Sequence, residues 1–203
     1  MGRRCLRCLS TSLHRSVGII IERASLTRET AVYELSSRGA LCRYLRRTFP
    51  RLTVSELFDD VPPGAYKDGV QCQDVQRLTY ASGSFDLVTS TEVFEHVPDD
   101  AAAFREVRRV LRERGWLVFT VPIDPAAPTL ERVAVRDGAV VHLTTPEYHG
   151  DRLRGRGRVL AYRTYGLDIT DRLHAAGFEA SIVPVNDPAH AIATRVVVGR
   201  ARS

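Results

Sequence analysis

The pattern of apolar and polar positions predicts an α/β chain, and it is clearest between residues 84 and 122. The apolar run 85–88 follows turn residues, which predicts a buried strand with a polar loop, 89–92, after it. A helix with one apolar face then begins near Asp99 and ends before Gly115, a residue suited to the position after a helix. The β-branched run 116–121 predicts a central strand. Strand, helix and strand in this order imply a right-handed crossover and a parallel sheet.

The remaining pattern predicts further strands and helices on both sides of this unit. Apolar residues at helical spacing predict helices at 16–23, 41–45 and 168–176, the last closed by Gly177. Predicted strands lie at 30–35, 51–58, 70–73 and 193–199. Residues 124–157 differ, because prolines and arginines surround two short strand-like runs, which indicates an inserted hairpin and loop.

The length and composition of the chain are those of one globular domain, and they argue against nucleic-acid and membrane partners. With 203 residues, of which 44% are hydrophobic, the chain can bury a full core. The positive charges that give the net charge of +5 are almost all scattered arginines, since Lys67 is the one lysine. The sequence contains no recognisable nucleic-acid-binding motif, so a nucleic-acid partner is not expected. No run reaches the roughly 20 apolar residues of a membrane span. Four cysteines without a disulfide framework, and the lack of a secretion signal, predict a cytoplasmic protein.

Cys5 and Cys8 form a C-x-x-C pair, the spacing that lets two thiolates reach one metal ion. A zinc site needs four ligands, and His14 is the nearest further candidate. Three interpretations stay open: part of a zinc ribbon, a zinc ion shared between two chains, or two free thiols. No other residues have metal-ligand spacing, so the sequence assigns no metal.

The order SFDLVTSTEVFEHVPD, helix, RVL, GWLVFTVP closely resembles class I methyltransferases that use S-adenosylmethionine, in their small-molecule, type 11-like form. The resemblance implies a Rossmann-like fold: a doubly wound, mostly parallel seven-stranded sheet with an antiparallel last strand. It implies a methyltransferase-like domain at 29–203, preceded by the C-x-x-C segment and a helix at 1–28. The insertion, at about 124–162, would cover the substrate side. The implied function is methyl transfer from S-adenosylmethionine to a small-molecule acceptor.

The resemblance assigns the methyl donor to the carboxyl ends of the first strands. In this family the turn after the first strand reads E/D-L-G-x-G-x-G and wraps the carboxypropyl end of the donor. Here Glu34 and Gly39 remain, while Ser36 and Ser37 replace the earlier glycines and offer hydroxyl groups instead. The full set that the resemblance implies for the donor is Glu34, Ser36, Ser37, Gly39, Glu56, Asp74, Val75, Thr89 and Thr91.

Within that set, three residues have specific implied partners. Glu56 would accept hydrogen bonds from the two ribose hydroxyls, since two vicinal donors match two carboxylate oxygens. Asp74 would accept from the exocyclic amine of adenine, and Val75 would pack on the ring. The alternative for Asp74 is an ordinary turn cap.

His96, Tyr148 and His149 are the candidates for catalysis on the acceptor side. A histidine beside the donor can act as general base for an oxygen or nitrogen nucleophile. His96 lies in an E-H-V-P turn that is widespread in the family, so a pocket-shaping role is the alternative. Tyr148, His149 and His142 lie in the insertion, where substrate contact and ordinary loop packing are both open.

Two functions from other classes remain alongside methyl transfer. The altered serine turn favours a degenerate methyltransferase-like protein that binds a partner. The C-x-x-C pair favours an interaction module in which the α/β domain is a scaffold. A nicotinamide-dependent dehydrogenase is weaker, because the G-x-G-x-x-G pattern is absent.

Overall fold

The computed structural model describes residues 4–6, 8–150, 157–188 and 192–203, and these build one large sheet with helices on both faces. The helices are α1 Ser12–Arg23, α2 Gly39–Thr48, α3 Asp100–Val110 and α4 Ile169–Ala175. The first strands are β1 Val32–Glu34, β2 Leu52–Glu56, β3 Tyr66–Lys67, β4 Val70–Cys72, β5 Phe85–Thr91, β6 Leu111–Thr120 and β7 Leu130–Glu131. They are followed by β8 Val133–Arg136, β9 Ala139–His142, β10 Tyr148–Gly150, β11 Arg158–Leu160, β12 Arg163–Thr164, β13 Phe178–Asp187 and β14 Ile192–Ala201.

The main sheet has the order β13-β14-β6-β5-β1-β2-β4-β3, so its centre is parallel and both edges are antiparallel. This confirms the predicted doubly wound α/β fold with an antiparallel last strand, β14, between β13 and β6. The sheet has eight strands rather than seven. The extra strand, β3, pairs with β4 across Asp68 and Gly69, whose positive φ angles of 50° and 75° suit a tight hairpin.

Amphipathic helices bury one side each against this sheet. Val17, Ile20 and Ile21 of α1 pack with Leu41 and Leu45 of α2 on one face. Phe104, Val107 and Val110 of α3 pack on the other face, together with the two inward-facing residues of α4, Ile169 and Leu173. Each face therefore has its own apolar cluster.

The predicted end of the third helix was wrong. Asp99 caps α3 as expected, and its side chain accepts a hydrogen bond from the Ala102 N–H at 2.8 Å. The helix ends at Val110, however, and Leu111 already has extended backbone with ψ 141°. The pairing of β5 with β6 shifts register here, and Gly115 is needed because an added Cβ would lie 2.9 Å from a backbone oxygen. Gly115 therefore lies in a β-bulge of β6 and not at the end of a helix.

The predicted polar loop after the fourth strand was also shorter than expected, because β5 continues to Thr91. Towards the C-terminus the predictions were better. Helix α4 ends before Gly177, which has φ +93° as a residue after a helix often does, and β13 follows.

The segment between β6 and α4 contains three small hairpin-like pairs, β7 with β12, β8 with β9, and β10 with β11. The β8–β9 turn uses Asp137 and Gly138 at φ 51° and 76°, which confirms the predicted hairpin. None of the helices in the described residues is long and apolar enough to cross a membrane.

Candidate functional site

A cleft of about 940 Å³ lies at the carboxyl edge of the sheet, where open α/β folds bind ligands. The residues that follow β1, β2, β5 and β6 line it, and the β10–β11 pair lies at its side. The lining includes Leu35, Ser36, Gly39, Glu56, Leu57, Thr91, Glu92, His96, Pro122, His149 and Gly150. A narrower cavity of about 80 Å³ adjoins it at Glu56 and His96.

The serine turn after β1 is held by the carboxylate at the end of β2. Glu56 Oε1 accepts from the Ser37 N–H at 2.7 Å, from Ser37 Oγ at 2.8 Å and from Ser36 Oγ at 3.3 Å. The serines thus supply hydroxyl donors where the family pattern has glycines. Gly39 opens α2 with φ +94°, a conformation that an L side chain rarely adopts.

Helix α2 presents its N-terminus to the same cleft without a side-chain cap. Arg38 occupies the capping position and makes no capping hydrogen bond, while Gly39 and Ala40 line the cleft. Unpaired N–H groups and the positive end of the helix dipole favour an anionic group there. Arg43, also on the lining, adds positive charge and donates to the Cys8 carbonyl oxygen at 2.7 Å.

Glu34 lies beneath the cleft rather than in its wall. Its side chain is buried, and Oε2 accepts a hydrogen bond from Thr89 Oγ1, which is equally buried. Burial raises the pKa of Glu34 to about 8. The carboxyl group therefore holds a proton at neutral pH, and Thr89 contacts Glu34 instead of the cleft.

The elevated pKa of Glu34 predicts a pH-dependent stability. The folded chain keeps this proton to about pH 8, whereas the unfolded chain loses it near 4.3, so stability is complete below the lower value and falls as pH rises towards the higher one. Between pH 5 and 8 we expect the free energy of unfolding to fall by roughly 3 kcal/mol more in the wild type than in Glu34→Gln. Urea titrations at both pH values measure this. The exposed Glu113→Gln should behave like wild type, and parallel curves for all three proteins would contradict the prediction.

Asp74 and Val75 line the narrower cavity with Glu56 and His96. Both Asp74 oxygens are engaged by Gln76, whose backbone N–H donates at 2.9 Å and whose side-chain amide donates at 3.0 and 3.2 Å. Asp74 thus caps the turn, which was the alternative to adenine binding in the sequence analysis, and it also forms part of the cavity wall. Val75 is 8% exposed and belongs to the apolar core, so it offers an apolar contact at the cavity.

Two imidazoles and two carboxylates gather on the opposite side of the cleft. His149 Nδ1 lies 3.2 Å from His96 Nε2, and His149 Nε2 lies 3.1 Å from Glu147 Oε1. His96 Nδ1 lies 2.9 Å from the Leu160 carbonyl oxygen. Glu95 Oε1 lies 3.6 Å from both facing nitrogens, and the side chain is 1% exposed. The carboxylates of Glu95 and then Glu147 raise the pKa of His149 to about 9.

Glu92 adds a further acid at the end of β5. Burial, followed by the neighbouring charge of Glu95, raises its pKa to about 7. Its backbone has φ +55°, an uncommon value for a residue other than glycine and one often found at functional sites.

The structure brings most of the predicted site residues into one region. Ser36, Gly39, Glu56, Thr91, His96 and His149 line the large cleft, while Asp74 and Val75 line the narrow cavity. Ser37 contacts the wall through Glu56. Tyr148 lies apart: it is 50% exposed and lines a neighbouring 470 Å³ depression with His96. His142 is exposed on β9.

Sequence reasoning missed the roles of Glu95 and Glu147. Glu95 precedes His96 in a common turn, and Glu147 lies two residues from His149, but 53 positions separate the two histidines. No local spacing shows that the β10 strand lies beside the E-H-V-P turn. The one local signal was a glutamate close to each histidine in the sequence, Glu95 next to His96 and Glu147 two residues before His149.

The C-x-x-C pair has no further ligand cluster in the described part of the chain. Groups of three metal-ligating side chains there consist of Glu95, His96 and His149 alone. His14, the predicted third candidate, instead accepts from the Thr11 N–H at 3.1 Å at the start of α1. Hydrogen bonds from Ser10 lower the pKa of Cys8 to about 6.

Comparisons with known proteins agree with this geometry. Residues 36–119 match the family model of the methyltransferase domain. Sarcosine/dimethylglycine N-methyltransferase of Halorhodospira halochloris is 32% identical over 111 residues, which cover 51% of this chain and 32% of that protein. Malonyl-[acyl-carrier protein] O-methyltransferase of Methylovorus sp. is 31% identical over 114 residues, covering 56% and 33%. The matches therefore span about a third of each relative.

Solved structures share the fold. The 1,6-didemethyltoxoflavin-N1-methyltransferase of Burkholderia thailandensis, solved with bound 1,6-didemethyltoxoflavin and S-adenosylhomocysteine, has a TM-score of 0.59 and 18% identity, covering 94% of this chain and 78% of that one. An S-adenosylmethionine-dependent methyltransferase from Mesorhizobium loti has a TM-score of 0.53 and 19% identity, covering 91% and 97%.

Residues 36–119 match the methyltransferase domain family, and the chain shares the fold of S-adenosylmethionine-dependent methyltransferases, which confirms the predicted resemblance. The comparisons do not favour the partner-binding alternative. The donor also fits what the site offers: an uncapped helix N-terminus for a carboxylate, an acid at the end of β2, and a narrow cavity with an apolar wall.

Proposed function

We propose that this protein transfers the methyl group of S-adenosylmethionine to an oxygen or nitrogen atom of a small molecule. The proposal is supported by one observation: the 940 Å³ cleft has different types of residues on its two sides. The side at β1 and β2 carries the donor-type turn, with Gly39 and Glu56, and the side at β10 carries His96 and His149. Methyl transfer needs both a donor site and a neighbouring acceptor site.

The residues of the first side would hold the donor. The uncapped N-terminus of α2 would bind its carboxylate, Glu56 would accept from the ribose hydroxyls, and Asp74 with Val75 would bind the adenine. The bound donor supplies an activated methyl group on a sulfonium, which already carries its leaving group. The protein then contributes mainly position and the exclusion of water.

The residues of the second side would hold the acceptor. Thr91 and Glu92, at the end of β5, line the same cleft as the donor turn and the histidines, so an acceptor there meets polar groups. His96 and His149 would orient its nucleophilic atom, and Tyr148, at the outer rim, would contact the rest of the molecule. A base is needed only when the acceptor atom is protonated at the working pH.

Calorimetric titration with S-adenosylmethionine and S-adenosylhomocysteine tests the donor site. We expect micromolar binding that weakens about tenfold in Asp74→Ala, the loss of roughly one hydrogen bond to adenine. Asp171→Ala is the matched control, because that aspartate is 81% exposed on α4, outside the lining of the cleft. A folded protein that binds neither compound would contradict the proposed function.

A further inference from the structure

The facing nitrogens of His96 and His149 define a site that the donor does not use. The Leu160 carbonyl oxygen can only accept, so His96 Nδ1 carries the hydrogen and Nε2 carries a lone pair. Glu147, which also pairs with Arg132 at 2.8 Å, accepts from His149 Nε2 and leaves the lone pair on Nδ1. In the neutral rings two lone pairs therefore point towards each other across 3.2 Å, an arrangement that a proton or a metal ion between the two nitrogens would stabilise.

The surroundings of Glu95 favour a metal ion over a proton between the two nitrogens. A proton on His149 joins the two nitrogens and gives Glu95 an ion-pair partner at 3.6 Å, but it leaves both carboxylate oxygens without a hydrogen bond among the described residues. Glu95 is completely buried, and neither of its carboxylate oxygens has a hydrogen-bond partner among the described residues. Burying a carboxylate without hydrogen bonds is costly, and coordination of a metal ion removes that cost. One ion bound to Oε1 and both nitrogens satisfies all three groups at once.

The three atoms have the separations that a tetrahedral ion requires. The sides of the triangle are 3.2 Å between the nitrogens and 3.6 Å from each nitrogen to Glu95 Oε1. Zinc usually lies about 2.1 Å from nitrogen and oxygen ligands. At that distance from all three atoms, the ligand–metal–ligand angles would be about 99° between the two nitrogens and about 118° between each nitrogen and Glu95 Oε1. These angles lie closer to tetrahedral than to the 90° of an octahedral face, which favours zinc-like ions over the iron of facial triads.

The outer contacts of both histidines also match a metal site. Ligating imidazoles usually donate their second N–H to a carbonyl or carboxylate, which fixes the tautomer and orients the ring. His96 does so with Leu160 and His149 with Glu147. Since both histidines line the cleft, the fourth position of the ion is accessible from it.

We propose that Glu95, His96 and His149 bind one zinc-like divalent cation, whose open position takes a water molecule or an oxygen or nitrogen atom of the acceptor. The acceptor would then be a molecule that carries a metal-binding group, such as a hydroxyl, carboxylate or amine. This last step rests on the proposed function, while metal binding itself does not.

Metal titration of the full chain tests the site. A Cys5→Ser, Cys8→Ser background removes the thiolates as competing ligands. After chelator treatment, Zn²⁺ titration by calorimetry should show one ion per chain, and Co²⁺ should give the visible absorption of a tetrahedral ion. We expect His149→Ala and Glu95→Gln each to weaken binding at least tenfold, while His142→Ala, an exposed histidine on β9, leaves it unchanged.

The outcomes separate this inference from the proposed function. A background protein that binds no ion, or one whose affinity is the same in His149→Ala, overturns the metal site and leaves a proton-bridged histidine pair. His149 lies on the surface pair β10–β11 and is 27% exposed in its side chain, so its alanine variant is expected to fold, which circular dichroism checks. Because the titration contains no S-adenosylmethionine, failure of donor binding would contradict the proposed function alone.

Discussion

Replacing Glu56 by alanine is expected to abolish measurable donor binding, with a loss of at least about 100-fold in affinity. The carboxylate has two tasks in the proposed site. Oε1 holds the serine turn through Ser37 and Ser36, and the group as a whole would accept from the ribose hydroxyls. Hydrogen bonds to a charged acceptor contribute about 1.5–3 kcal/mol each, so losing two exceeds the roughly 2.7 kcal/mol that a 100-fold change represents. Calorimetry with S-adenosylhomocysteine measures the loss.

Glu56→Gln separates the two tasks. The amide keeps one oxygen that can accept from the turn, but its NH₂ group cannot accept from a ribose hydroxyl. If Gln restores binding that Ala loses, the main role of Glu56 is to hold the serine turn. If both variants lose binding while their melting curves stay close to wild type, the ligand contact dominates. Wild-type affinity in Glu56→Ala would contradict both tasks, and the exposed Glu113→Ala serves as the matched control.

The sequence predicted the parts of the fold in which local pattern and burial coincide. The run 85–88 and the run 116–121 are apolar because they lie in the middle of the sheet, and α3 has its apolar stripe because one face packs there. Asp99 and Gly177 mark helix ends by local chemistry alone. These features need no knowledge of the rest of the chain.

The predictions failed where a distant contact decides the local structure. Gly115 has the composition of a helix end, but the register shift between β5 and β6 makes it a bulge residue instead. The sequence named Asp74 and Val75, which line the narrow cavity, but it did not show that Glu95, His96 and His149 form one cluster. That cluster depends on a hairpin 53 residues downstream, and neither spacing nor periodicity carries that information.

Arg163 shows the same limit, because the sequence presents it as one of many scattered arginines. In the structure it is 4% exposed and lies under the turn Phe94–His96. Its guanidinium donates to the carbonyl oxygens of Phe94, Val97 and Pro98 at 3.3, 2.6 and 2.8 Å, and to Glu131 at 3.1 Å. Asp100 lies 3.6 Å from its Nε and also accepts from Tyr165. One side chain thus connects the β7–β12 pair to the turn that carries Glu95 and His96.

Arg163→Met should therefore destabilise the protein by about 3–5 kcal/mol, since it removes one partner of a buried charge pair and the guanidinium donors of the Val97 and Pro98 carbonyl oxygens. Arg163→Lys keeps the charge but loses the planar fork, so we expect an intermediate cost. Urea unfolding measures both, with Arg105→Met on the exposed side of α3 as control.

The size of that loss distinguishes a structural anchor from an incidental ion pair. A cost below about 1 kcal/mol in Arg163→Met, typical of exposed pairs, would show that solvent or neighbouring groups replace its hydrogen bonds. A cost in the expected range has a second consequence, because the released turn carries two of the three proposed metal ligands. Arg163→Met should then also bind Co²⁺ more weakly than Arg105→Met, although Arg163 itself is not one of those ligands.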